Sequence, residues 1–351
     1  MERYIGLDAH ASSCTLGVVG PSGKRLGSHV VETNARALIE VLRGIPRNRH
    51  VCVEEGTLSG WLYEVLEPHV EELVVAGVRE SRGPKSDKRD AFALAEQLRI
   101  GSLETVVYKD RGRFRRLGQL ARAHGFVVRD AARVKNRLKS VYRSRGVGYG
   151  AGRSIYGKRD REGWLAKLPE ASRTLAEVLY AEHDALVVLS AKAEKALLAE
   201  ARKHREWHGV KTCPGLGPIR TAQLLPVVVT PHRFQSRSGF WAYCGLGIVM
   251  RSSSDWVRTS TGAWIKAAVL RTRGLNRNFN HRLKGVFKGA ATTVIGRAED
   301  EPLYHHYERL LEGGTKPNLA KLTIARQIAS IALALWRSGE AYDPKRLEAT
   351  E

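Results

Sequence analysis

Five acidic residues sit where secondary structure would aim them at a common target. Asp8 closes the apolar run Ile5-Gly6-Leu7 and is followed by Ala9-His10. Glu54 and Glu55 close Val51-Cys52-Val53, and Asp87 and Asp90 stand three residues apart in Lys85-Ser86-Asp87-Lys88-Arg89-Asp90-Ala91. A carboxylate emerging at the centre of a sheet is costly unless it is paired or bound to a cation. Hard oxygen donors without cysteine or a histidine cluster suit Mg²⁺. Two such ions about 4 Å apart activate an attacking oxygen and stabilise a leaving one in phosphoryl transfer. Asp8, a strand-end glutamate, Asp87 and Asp90 therefore read together as the ligands of a two-metal nuclease centre. Taken singly, each also suits an ordinary turn, strand end or helix N-terminus.

The elements that must carry these groups are legible nearby. Residues 3–9 read as a buried strand, and 14–20 and 24–32 as strands joined at Pro21-Ser22-Gly23. Asn34 can cap a helix to about residue 43. Residues 50–55 and 72–78 read as further strands, with a helix over 59–70 between them. Ser86 caps a helix to about Ile100, which puts Asp87 and Asp90 on one face of its first turn, where the helix dipole favours negative charge. Strand alternation sends Glu54 and Glu55 to opposite faces. The pattern predicts a mixed α/β sheet.

The charge is unevenly spread. The chain has 351 residues and a formal net charge of +22. Residues 1–110 carry 14 Lys/Arg against 16 Asp/Glu, residues 111–160 carry 15 against 2, and residues 241–297 carry 10 against 1. A near-neutral first domain followed by two basic segments suggests a catalytic module joined to modules that grip nucleic acid through its phosphates. Cys14, Cys52, Cys213 and Cys244 are scattered, which argues against a zinc site and for buried free thiols. No uninterrupted apolar run approaches membrane-spanning length and no signal peptide is evident, so a cytoplasmic location without membrane contact is expected.

Residues 111–147 and 169–205 read as two long helices around the glycine-rich stretch 148–161. Leu175, Val178, Leu179, His183, Leu186, Leu189, Ala193, Ala196 and Leu197 recur near a 3.5-residue spacing, which predicts a coiled-coil arm. Residues 212–228 hold Pro214-Gly215-Leu216-Gly217-Pro218, a helix-hairpin-helix-like turn suited to a DNA phosphate. Helices are expected near 235–244, 261–273, 280–290, 301–312 and 317–337, with a loop over 245–260.

The run from Lys85 to Ala95 closely resembles the Lys-Thr-Asp-x-x-Asp-Ala-x-x-Leu-Ala motif of DEDD transposases of bacterial insertion sequences. The likeness is greatest to the group that holds the pilin-gene invertases and bridge-RNA-guided recombinases. That group's glutamate opens Glu-Ala-Thr-Gly-x-Tyr-Trp, whereas this chain reads Glu54-Glu55-Gly56-Thr57-Leu58-Ser59-Gly60-Trp61. Matching on Thr and Trp selects Glu55 as the ligand, and matching on the strand end selects Glu54; Glu55 is preferred. Residues 234–254 resemble the family's Phe-x-Ser, Ala-Tyr-x-Gly-Leu and Ser-Ser-Gly segments, which places the family's nucleophilic serine on Ser253, between Ser252 and Ser254. Ser254 stands where the family has glycine. A basic helix with Lys266, Arg271 and Arg273 fits the family's looser pattern.

The resemblance implies an α/β RuvC/RNase H-like domain over 1–110, a basic coiled-coil arm over 111–206 and an all-α transposase domain over 207–351. It implies a transposase or site-specific recombinase. Asp8, Glu55, Asp87 and Asp90 would hold Mg²⁺, and Ser253 would attack donor and target double-stranded DNA to form a 5′-phosphoserine link. It further implies a structured guide RNA and a homo-oligomer, dimer or tetramer. The alternative is a RuvC/RNase H-type metal-dependent endonuclease without serine chemistry. An actin-like ATPase lacks its second phosphate loop here; a catalytically inactive nucleic-acid-binding protein is a further reading, which metal-dependent cleavage abolished by Asp8→Ala would rule out.

Overall fold

In a computed structural model the described residues are 1–78, 86–108, 112–148, 155–250, 256–266, 272–275, 278–297 and 300–345, without the side chains of 249, 250, 266, 272 and 273. The chain divides into two compact units, Met1–Arg113 and Phe114–Glu351.

The first unit is one five-stranded sheet with helices on both faces. Its elements are β1 (Arg3–Ala9), β2 (Ser13–Val19), β3 (Arg25–Glu32), α1 (Ala35–Gly44), β4 (Arg49–Glu54), α2 (Ser59–Leu66), β5 (Glu72–Ala76) and α3 (Asp87–Arg99). The strand order is β3-β2-β1-β4-β5, with β2 antiparallel to its two neighbours and β4 parallel to β1 and β5. The mixed sheet is as expected from sequence. Asn34 caps α1, its side chain accepting the Ala37 N–H at 2.8 Å.

The two faces of the sheet differ in kind. Ile5, Leu7, Leu16, Val18, Val51, Val53 and Val75 are buried against Leu38 and Leu42 of α1 and Leu62 and Leu66 of α2. The opposite face carries Gly6 and Gly17, directly paired across β1 and β2. There α3 lies against the strands: a Cβ on Gly6 would collide with the Ala91 carbonyl and lie 2.6 Å from the Ala95 nitrogen. A Cβ on Gly17 would lie 2.9 Å from the Phe92 nitrogen. Glycine at both positions is what lets a helix backbone approach a strand backbone so closely.

The second unit begins with α4 (Arg115–Arg143), α5 (Arg161–Leu165) and α6 (Glu170–Ala201). The two long helices run antiparallel, since Arg116 lies 3.3 Å from Glu200 and Arg137 3.7 Å from Glu182. Val134, Leu138, Val141 and Tyr142 of α4 pack with Trp164, Ala176, Leu179 and Tyr180. The buried hydroxyls of Tyr142 and Tyr180 are 3.0 Å apart. The apolar stripe on α6 is narrower than the sequence predicts. Leu179, His183 and Leu197 face inward, whereas Leu175, Val178 and Leu189 are exposed. Ala176 and Tyr180 join Leu179 against α4, and Ala201 is buried near the end of α6.

Beyond the pair lie α7 (Arg205–Val210), α8 (Gly217–Val228), α9 (Arg237–Tyr243), α10 (His281–Arg297), α11 (Pro302–Glu312) and α12 (Pro317–Ser338). Four short strands lie between α9 and α10: β6 (Ile248–Met250), β7 (Trp256–Arg258), β8 (Trp264–Lys266) and β9 (Thr272–Leu275). The expected all-α region, with a helix over 261–273 and a loop over 245–260, is corrected here. Trp256-Val257-Arg258 and Trp264-Ile265-Lys266 alternate with a period of two, and Gly262 takes a φ of +83° in the turn between them. Basic residues spaced through the segment had suggested a helix, but β-branched and aromatic neighbours decide the local structure.

Helix α12 is long and apolar enough by composition to cross a membrane. It is nevertheless a core helix of its unit, with Ile324, Ile328, Ala329 and Leu333 buried among the side chains of α7 to α10. All four cysteines are free and buried, as expected.

Candidate metal centre

The register of the sheet decides which acidic side chains share a face. Gly6 pairs with Cys52 and Leu7 with Val53 in the parallel β1–β4 ladder. Alternation then puts Asp8, two residues after Gly6, and Glu54, two residues after Cys52, on the face that α3 covers. Glu55 is turned to the other side. Its carboxylate accepts a hydrogen bond from Ser59 Oγ at 3.1 Å, at the start of α2.

Helix α3 brings the remaining carboxylates over the end of β1. It starts at Asp87, with Ser86 as its N-cap by backbone conformation; the Ser86 side chain makes no capping bond, contrary to expectation. Asp87 and Asp90 occupy the first turn. The seating of Ala91 and Ala95 on the glycine pair holds that turn above Asp8. Lys85 lies outside the described residues.

His10 completes the cluster. Its Nε2 lies 3.4 Å from Asp8 Oδ2 and 3.5 Å from Asp87 Oδ1. One donor atom each from Asp8, His10 and Asp87 falls within 4.8 Å of the others. Sequence reasoning passed over His10. The two-residue spacing from Asp8 hints at a shared side, but the approach of His10 to Asp87 depends on how α3 is seated.

The electrostatics favour a cation. Burial raises the Asp8 pKa above the ordinary carboxylate value; His10 pulls it down, while Asp87, Asp90 and Glu54 push it up further. Three carboxylates thus bear on a half-buried Asp8. Such a set carries mutual repulsion that a divalent ion relieves, and its oxygen donors are those that Mg²⁺ prefers. The residues present fit a hard divalent cation, with the imidazole of His10 as a further nitrogen donor.

The serine segment gives no geometry. Ser252, Ser253 and Ser254 lie outside the described residues, as do Arg271 and the side chains of Lys266 and Arg273. The helix-hairpin-helix-like segment is described in full. Helix α7 ends at Val210, the chain turns through Gly215 and Gly217 at φ of +71° and +60°, and α8 begins at Gly217. Gly215 packs on the backbone of Ala290 in α10, where a Cβ would collide with the carbonyl.

Two family models match the chain. The transposase family DEDD_Tnp_IS110 matches residues 5–144, which include Asp8, Glu54, Asp87 and Asp90. The transposase family IS116/IS110/IS902 matches residues 208–308, which include the helix-hairpin-helix-like turn and the serine segment. No curated protein matches the chain.

Proposed function

Because the chain carries the transposase domains of the IS110/IS116/IS902 family, we propose that it cuts and rejoins DNA as a site-specific recombinase with a metal-dependent carboxylate centre. The observation that carries this reading is the convergence of Asp8, Glu54, Asp87 and Asp90 on one side of the first unit's sheet. We assign the glutamate ligand to Glu54 in place of Glu55, on the strand register and on the engagement of Glu55 with Ser59. The strand order β3-β2-β1-β4-β5 supports an RuvC/RNase H-like reading of that unit. A divalent cation held by Asp8, Glu54, Asp87 and Asp90, Mg²⁺ by the donor set, would supply Lewis acidity at a phosphate and would stabilise a departing oxygen.

The serine chemistry follows from the resemblance. The Ser253 Oγ–P bond forms as the P–O3′ bond of a DNA strand breaks. The serine proton goes to a base, and the departing 3′ oxygen takes up a proton. The product is a 5′-phosphoserine link and a free 3′ hydroxyl. Rejoining reverses the step on a new 3′ hydroxyl. His10 Nε2, 3.4 Å from Asp8 Oδ2 and 3.5 Å from Asp87 Oδ1, would add a nitrogen donor to the carboxylate set.

The nine Lys/Arg of α4 against a single Asp support contact with a nucleic-acid backbone, including that of a structured guide RNA. The exposed Leu175, Val178, Val187, Val188 and Leu189 on α6 support a homo-oligomer, since an apolar surface of this kind marks an interaction site. A cytoplasmic location accords with this role. The direct test of the metal centre is cleavage of DNA carrying the element's ends, with and without Mg²⁺. Cleavage should require the ion and be lost in Asp8→Asn; undiminished cleavage in Asp8→Asn would refute the centre.

A further inference from the structure

Helices α4, α8 and α10 of the second unit line an open cleft of about 230 Å³. Arg122 and Arg129 reach it from α4, Arg220 and Gln223 from α8, and Arg282 from α10. Among the described residues no carboxylate lines it, and none of these four arginines takes part in an ion pair. Burial lowers the Arg282 pKa, and the neighbouring charges of Arg122 and Arg129 lower it further. Burial also lowers that of Arg220. Four like charges have therefore been gathered into one recess at an electrostatic cost that no residue lining it offsets.

The recess is also kept open by its backbone. Gly125 in α4 and Gly285 in α10 both line it. Each is in a helix interior, where glycine costs about 1 kcal/mol relative to alanine. A Cβ on Gly285 would touch nothing within 4 Å, and one on Gly125 would approach only Arg129 Nη1, at 3.5 Å. Packing therefore does not demand glycine at either place. Arg220 is held in position, donating from Nη1 to the Gly215 carbonyl at 2.7 Å, which ties the recess to the turn before α8.

We infer that this cleft is a preformed phosphate site that takes one backbone phosphate of a bound nucleic acid. Guanidinium groups present planar paired donors that match phosphate oxygens, and the volume holds a single tetrahedral anion with its water. Gln223 adds an uncharged amide donor. The nucleic-acid source of the phosphate rests on the proposed recombinase reading; the anion site itself does not.

The test uses the full-length protein. Binding of a fluorescent duplex is measured by anisotropy over a series of NaCl concentrations, and binding of inorganic phosphate by calorimetry. Arg122→Gln/Arg282→Gln removes two donors, and Gly285→Leu fills the recess without changing charge. Both should retain wild-type helicity. Each should flatten the slope of log K against log salt by about one, the signature of one lost phosphate contact. An unchanged slope in Gly285→Leu would overturn the proposal. Inorganic phosphate binding lost in both variants, with the duplex slope unchanged, would make the cleft a small-anion site and overturn the backbone assignment. If the wild type binds no duplex but takes up phosphate that both variants lose, the anion site stands and the recombinase reading fails.

Discussion

Gly6 of β1 and Ala91 of α3 meet backbone to backbone, with no room for a side chain on the strand. This contact seats the first turn of α3, and with it Asp87 and Asp90, over Asp8. Gly6→Val should therefore act twice. Overpacking should destabilise the first unit by about 1–3 kcal/mol, read by urea denaturation. DNA cleavage should fall further than the loss of folded protein explains, because the helix carboxylates are displaced.

The two glutamates separate cleanly. Glu54→Gln should lower metal-dependent cleavage about a hundredfold or more, since even groups that only orient metal ligands are worth about 10–100-fold. Glu55→Gln keeps an acceptor for Ser59 Oγ and should leave cleavage within a few-fold of wild type. Initial rates on a labelled duplex distinguish them, and the reverse ranking would return the ligand role to Glu55.

Asp8→Asn should raise the thermal stability of the metal-free protein, because it removes a desolvated charge from among like charges. It should also abolish the stabilisation that Mg²⁺ gives the wild type, about 2.7 kcal/mol when the ion is a hundredfold above its dissociation constant. Melting curves with EDTA and with Mg²⁺ report both effects.

Helix α6 carries a pH dependence of definite sign. Burial lowers the His183 pKa below its ordinary 6.5, helped by the charge of Lys135. Above 6.5 the ring is neutral in folded and unfolded chains alike. As pH falls below 6.5 the unfolded chain takes up the proton first, so stability is lost. Asp184 behaves as an acid held low, at about 2, by its two-bond contact with Arg161. Its contribution is present above 3.8 and is lost as pH falls towards 2. Denaturation midpoints at pH 7 and pH 5 should differ less in His183→Leu than in the wild type.

Much of this was legible in the sequence because it is local. The hairpin at Pro21-Ser22-Gly23, the Asn34 cap and the bounds of α9, α11 and α12 follow from a few adjacent residues. The choice between Glu54 and Glu55 was not, because it depends on how β4 is registered against β1, and a one-residue slip exchanges the faces. His10 needed the position of Asp87, which only the seating of α3 supplies. The strands β7 and β8 were hidden by charge: Lys266, Arg271 and Arg273 were read as a basic helix, while Trp256, Val257, Trp264 and Ile265 set the backbone. On α6 the inner stripe could be placed only with α4 against it.

The proposed recombinase reading requires both the metal centre and Ser253 if a covalent link to DNA is to form. The most direct measurement is an SDS gel of full-length protein incubated with labelled DNA from the element's ends, with Mg²⁺ or EDTA, for wild type, Asp8→Asn and Ser253→Ala. A protein–DNA band resistant to SDS and mapping to Ser253 is expected in the wild type with Mg²⁺ alone, and none in either variant. Undiminished cleavage by Ser253→Ala, with no covalent band in the wild type, would contradict the recombinase reading and leave a hydrolytic nuclease.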